Sequence, residues 1–304
     1  MKRSRPTLVG MMLLGALAAG VSAAPAADAV PPPGGVIAVT GTNQALYAKP
    51  LDSPTWSNLG GKLIAAPAVT VVNPETTQYV GIGANSMLYQ RTDATGWRRL
   101  TTIDYKCTEV STILSRFDGS TVYGACTAGN GALYFFEFDG TQTAPTAPTL
   151  TKATQNNEVL SKATLAWGDR FDDPQLLAFY KGSQPQAGAG NTWNVDMSGG
   201  LGWGDIYSTN GPGSSGFSFD AFQQDDPMIL VTVVMVGWNS YSVPGRSIGS
   251  PALIENGDGT AELFVTGTNG VVYTQHLTDT AGSSWTQIPS RTPYGPAVST
   301  PLLS

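Results

Sequence analysis

Val265-Thr266-Gly267-Thr268-Asn269-Gly270-Val271-Val272-Tyr273 decides the fold, because the chain repeats it. The same pattern stands at Val39-Thr40-Gly41-Thr42-Asn43-Gln44-Ala45-Leu46-Tyr47 and at Gly81-Ile82-Gly83-Ala84-Asn85-Ser86-Met87-Leu88-Tyr89. A fourth copy is Cys126-Thr127-Ala128-Gly129-Asn130-Gly131-Ala132-Leu133-Tyr134. Each reads as an apolar strand, a Gly/Asn turn and a second strand carrying an apolar-Tyr pair. Asn and Gly tolerate the positive φ that a tight hairpin needs. Three copies run on to a tryptophan: Trp56, Trp97 and Trp285. Ala66-Pro67-Ala68-Val69 and Ser250-Pro251-Ala252-Leu253 supply a further short strand ahead of two copies. The predicted unit is therefore about four short antiparallel strands.

Spacing gives the count. Tyr47 to Tyr89 is 42 residues, Tyr89 to Tyr134 is 45, and Tyr134 to Tyr273 is 139, close to three periods. Two degenerate units fill that gap. One spans roughly Leu160 to Ser208, with strands near Ala163–Trp167 and Gln175–Tyr180. The other spans roughly Phe217 to Ser247, with strands near Phe217–Phe222, Met228–Met235 and Ser240–Val243, and lacks most of its last strand. Tyr294-Gly295-Pro296-Ala297-Val298 copies the Ser250-Pro251-Ala252-Leu253 start, while Val36–Thr40 begins at the second strand of a unit. The last strand thus completes the first unit. The chain is expected to be all-β, a β-propeller of six four-stranded blades closed by its C-terminal strand. Five or seven blades stay open because the middle units are degenerate. Closure would hide strand edges. A β-sandwich of hairpins competes, but does not explain the split first unit.

Lys2, Arg3 and Arg5 precede an apolar run from Leu8 to Val21, and small residues follow at Val21-Ser22-Ala23 and Ala27-Asp28-Ala29. Residues 1–29 are expected to be a secretory signal peptide. The run falls short of the roughly 20 residues a membrane-spanning helix needs, and no membrane insertion is expected. Residues 30–35 read as a Pro/Gly spacer and 36–304 as one domain. Cys107 and Cys126 flank a hairpin turning at Phe117-Asp118-Gly119. In an oxidising compartment they are expected to form a cross-strand disulfide.

Charged residues are 12%, hydrophobic residues 41% and the net charge −6 over 304 residues. An acidic chain without a basic run is a poor nucleic-acid ligand. The one histidine, His276, leaves no cluster for a metal or a catalytic relay. No cofactor is expected. Asn256-Gly257-Asp258-Gly259-Thr260 has the alternating oxygens of a calcium loop but lacks its downstream glutamate, and reads as a hairpin turn. The carboxylates Asp169, Asp172, Asp173, Asp225 and Asp226 read as strand-connecting turns, since Asp173-Pro174 and Asp226-Pro227 recur at the same place in the two middle units.

The Ser-Pro-Ala start, the Gly-Thr-Asn-Gly turn, the apolar-Tyr pair and the closing Trp resemble tectonin-type propeller lectins, including the bacterial fucose-binding propellers. The resemblance is clear at 36–103 and 249–289, partial at 107–150 and poor at 158–247. It implies glycan sites repeated around the ring, lined by Trp and polar side chains of neighbouring blades.

Asp52-x-x-x-Trp56 and Asp93-x-x-x-Trp97 share a spacing that Asp279 and Trp285 echo with two more residues. Sugars stack their C–H faces on aromatic rings and bond their hydroxyls to carboxylates and guanidinium groups. Trp56, Trp97, Trp285, Asp52, Asp93 and Arg98 are therefore the candidate ligand-binding residues. A purely structural Trp that fills the gap between blades is the competing reading. Trp193, Trp203 and Trp238 fall in irregular Gly-rich segments that leave them unoriented. The expected function is secreted glycan binding without turnover, with glycans or glycoproteins as partners. A protein-interaction scaffold, or a propeller glycoside hydrolase, is the alternative.

Overall fold

The computed structural model describes residues 34–100, 106–141 apart from 112, 116 and 117, and 245–300 apart from 257–259 and 279–281. Between these it describes the strands at 149–152, 164–167, 174–177, 206–208, 219–226, 229–236 and 239–243. Residues 1–33 lie outside them.

The molecule is all-β and antiparallel. β1 (Val36–Thr40), β2 (Leu46–Pro50) and β3 (Ser57–Gly60) begin the first sheet. The second is β4 (Ala68–Asn73), β5 (Thr76–Ile82), β6 (Leu88–Thr92) and β7 (Arg98–Arg99). The third takes β8 (Cys107–Val110), β9 (Leu114–Ser115), β10 (Thr121–Ala128), β11 (Leu133–Asp139) and β12 (Thr149–Lys152). β13 (Thr164–Trp167) and β14 (Pro174–Leu177) form a two-stranded sheet. The fifth sheet is β15 (Ile206–Ser208), β16 (Phe219–Asp226), β17 (Ile229–Val236) and β18 (Asn239–Val243). The sixth is β19 (Ser247–Glu255), β20 (Ala261–Gly267), β21 (Val272–Leu277) and β22 (Thr286–Ile288). The final strand, β23 (Ala297–Ser299), returns to the first sheet and pairs with β1, Ala297 opposite Ala38. Among the described residues, four of the six sheets are four-stranded.

One allocation differs from the sequence reading. That reading puts residues 206–208 in the earlier degenerate unit, yet β15 pairs with β16, Tyr207 opposite Ala221. The later unit, expected to be short of a strand, thereby has four. The intervening Gly-rich stretch hides that pairing, because a three-residue strand leaves almost no alternation to read.

Strands buried on both faces explain the near-continuous apolar runs. Ile37 and Val39 of β1 pack on Ala252 and Ile254 of β19 and Phe264 of β20. Between them, Ala38 turns the other way, onto Val69 of β4 and Tyr79 of β5. The period of two thus feeds two cores from one strand. Val80, Ile82 and Leu88 join Val110, Val122 and Phe136 in a further core between the second and third sheets. Each sheet touches the next in chain order, and β19 of the sixth touches β23 of the first.

Backbone hydrogen bonds tie the units together at the repeated turn. Gln44 and Ser86 have φ of 67° and 63°, and Gly270 has φ 76°. These left-handed residues aim their carbonyls at the following unit: Leu63 N–H donates to Gln44 O at 2.8 Å, Cys107 N–H to Ser86 O at 2.9 Å and Thr292 N–H to Gly270 O at 2.8 Å. The repeated threonine adds a second tie. Thr40 Oγ1 donates to Ala65 O, and Thr266 Oγ1 to Tyr294 O, both at 2.8 Å.

The third sheet carries the disulfide. Cys107 of β8 and Cys126 of β10 are bonded, with Cα atoms 5.8 Å apart. A register shift at Thr127/Ala128 staggers the two, so that Cys107 faces Ala128 and Cys126 faces Val110. Both sulfurs sit in the core shared with the second sheet.

Candidate functional site: one cavity in three copies

The repeated asparagine organises each turn. Asn43, Asn85 and Asn269 accept at Oδ1 from the N–H two residues on, at 3.1, 3.2 and 3.1 Å. Their Nδ2 atoms donate to the hydroxyls of Tyr47, Tyr89 and Tyr273 at 2.9, 3.0 and 2.9 Å. The tyrosine ring then lies over the glycine that opens the turn. A Cβ on Gly41, Gly83 or Gly267 would come within 2.8, 2.7 or 2.9 Å of the ring. Only glycine permits that contact, which is why it recurs there.

A cavity opens beside each of these turns. The first, about 370 Å³, is lined by Gly41, Asn43, Tyr47, Trp56 and Arg291. The second, about 290 Å³, is lined by Gly83, Asn85, Tyr89, Trp97 and Lys62. The third, about 290 Å³, is lined by Gly267, Asn269, Tyr273, Trp285 and Arg246. Their size is close to the lower bound of the roughly 300–1,000 Å³ of small-molecule clefts. The cation comes in every case from the segment that leads into the unit. Lys62, Arg246 and Arg291 each stand five residues before a proline, Pro67, Pro251 and Pro296. That spacing was legible in the sequence, but sequence reasoning missed it.

All three expected tryptophans line cavities, and all are half-buried. They also fill the joints between sheets. Trp56 packs on the core shared by the sixth and first sheets, and its Nε1 donates to Pro289 O at 2.7 Å. Trp97 packs on the core between the first and second sheets. Its Nε1 is buried without a partner among the described residues. Lys49 lies 5.8 Å from the Trp56 ring centroid, and Arg91 lies 5.9 Å from that of Trp97. Lys49 Nζ also donates to Ser53 O at 2.6 Å. Burial pulls the Lys49 ammonium below its usual range, and the Asp52 charge opposes this. Arg91 donates to Leu59 O.

Asp52, Asp93 and Arg98 are not among the residues lining these cavities. Asp93 accepts from the buried Tyr79 hydroxyl at 3.0 Å. Burial foremost, then the Asp93 charge, pushes the Tyr79 phenol well above its usual range. Arg98 is exposed on the outer strand β7. His276 is a cross-strand partner of Glu262, its Nδ1 2.8 Å from Glu262 Oε1. Asn256 and Thr260 bond to one another across their hairpin. Asp225 and Asp226 end β16, opposite Leu230 and Ile229 of β17. Trp193, Trp203, Trp238, Asp169, Asp172, Asp173 and Asp279 lie outside the described residues. No group of three or more His, Cys, Asp or Glu side chains suits a metal ion among the described residues.

No family model matches the chain, and no curated protein matches it. Solved structures do. The chain is similar to the SapL1 lectin in complex with α-methyl fucoside, at 15% identity and a TM-score of 0.50, covering 86% of this chain and 97% of that one. It is also similar to AofleA from Arthrobotrys oligospora, at 9% identity and a TM-score of 0.55, covering 86% and 83%. A mutant of AofleA with arginines replaced by alanine gives 10% identity and a TM-score of 0.53 over the same shares. At such identities the likeness is one of fold alone.

Proposed function

We propose that the chain is a secreted, non-catalytic glycan-binding β-propeller, a ring of six blades with its sites at Trp56, Trp97 and Trp285. The observation that carries this reading is the recurrence of one cavity three times at one register. Chemistry needs one well-built centre, whereas repeated small sites suit multivalent capture, in which linked weak contacts multiply. Indole and phenol offer faces to sugar C–H groups, and the asparagine amide offers donors to hydroxyls. The fold likeness to lectins agrees with this, the contact of the sixth sheet with the first supports a ring, and residues 1–29 support export.

A glycan array, followed by titration calorimetry on the best hit, tests the reading. Wild type should bind with about three sites per chain, and each of Asn43→Ala, Asn85→Ala and Asn269→Ala should remove about one. Trp56→Ala, Trp97→Ala and Trp285→Ala should do the same where circular dichroism shows the fold intact. Retention of no glycan on the array would sink it.

A further inference from the structure

The three cavities share an electrostatic character that glycan binding in general does not require. Each has one cationic side chain, Lys62, Arg246 or Arg291, and none has an aspartate or glutamate in its lining. All three cations are exposed, and no ion pair or hydrogen bond engages them among the described residues. The Lys49 and Arg91 side chains, by contrast, are held by backbone carbonyls and tryptophan rings. The recurring tyrosine and asparagine add donors. Each tyrosine hydroxyl accepts from its asparagine and keeps its own proton to give. Each asparagine amide keeps a second N–H. A neutral sugar hydroxyl needs acceptors as well as donors, while an anion needs donors and a countercharge.

We propose that these cavities take anionic sugars, those carrying a carboxylate or a sulfate, with Lys62, Arg246 and Arg291 as the countercharges. The proposal rests on the glycan-binding reading and narrows it to one substrate class. The net charge of −6 works against it at long range. Screening removes that objection, since charges beyond about 10 Å are largely silent at 0.1 M salt, whereas a cation lining the cavity is in contact. A single exposed ion pair is worth little, about 0.2–1 kcal/mol, so one site should favour an anionic sugar only about 1.4- to fivefold. Three sites on one polyanionic glycan would multiply that preference.

Calorimetry on the full chain with methyl β-glucuronide, methyl β-glucoside, glucose 6-sulfate and methyl α-fucoside tests this. The glucuronide, the sulfate or both should bind about 1.4- to fivefold more tightly than the glucoside. Which of the two leads identifies the natural anion. The preference should vanish at about 0.5 M salt and in the triple variant Lys62→Gln/Arg246→Gln/Arg291→Gln, whose exposed positions let it fold. Equal or tighter binding of methyl α-fucoside or the glucoside, or a charge preference untouched by the triple variant, overturns the anionic assignment and leaves glycan binding standing. Binding of none of the four sugars overturns the anionic assignment, and the glycan array then decides whether glycan binding stands.

Discussion

At Gly83 a Cβ would meet Tyr89 Cε2 at 2.7 Å, and at Gly41 a Cβ would meet Tyr47 Cε2 at 2.8 Å. The fourth turn shows the alternative. Ala128 takes the glycine place there, no tryptophan follows, and Tyr134 is buried where its counterparts are half-buried. Gly83→Ala should therefore displace the Tyr89 ring, reshape the cavity beside it, weaken the proposed glycan binding there and cost about 1–3 kcal/mol, read by calorimetry and denaturant titration. Asp118 allows a pH test. Partial burial acts to raise its carboxyl, but the hydrogen bonds from Thr121 and Ser120 outweigh it and hold the pKa at about 2. A folded value below the unfolded one contributes stability that is fully present above about pH 4. It is lost as pH falls toward 2. The stability difference between wild type and Asp118→Ala should thus be flat from pH 7 to 5 and shrink between 4 and 2. A difference that grows on acidification would contradict the turn's hydrogen bonding.

The strongest single link among the elements is the disulfide joining β8 to β10 across a separation of 19 residues. Replacing both cysteines by serine should lower stability by about 3 kcal/mol, seen as a lower denaturant midpoint. The pairing was legible because a turn signal separated two short strands. So was the repeated hairpin, since Asn, Gly and Tyr at fixed offsets each have a local job: Asn bonds the turn, and Gly leaves the room that the Tyr ring fills. The cavities were only half legible. Tryptophan stood out by repetition, but Lys62 meets Gly83 only after the lead-in segment folds back, and a lone surface lysine signals nothing by itself. Asp93 was legible only by its spacing. Its spacing to Trp97 suggested a ligand site, while its partner in space, the Tyr79 hydroxyl, comes from β5, a strand away.

Across the whole molecule, order depends on β23 covering β1. Ile37, at the middle of β1, is fully buried and stands opposite Val298. Ending the chain before Ala297 should uncover that strand edge and invite edge-to-edge pairing. The truncated protein should melt earlier and elute as aggregates in size-exclusion chromatography, and a monomer of unchanged melting temperature would refute this. The same pairing also sets a schedule. Val36 meets Ser299, 263 positions later in the chain. At ribosomal speeds of roughly 5–20 residues per second, that partner arrives about 13–53 s after the strand it completes. During this interval the nascent chain presents an unpaired apolar edge, so the first sheet is the last to mature, and a chaperone that shields β1 until synthesis ends would raise the yield of folded protein.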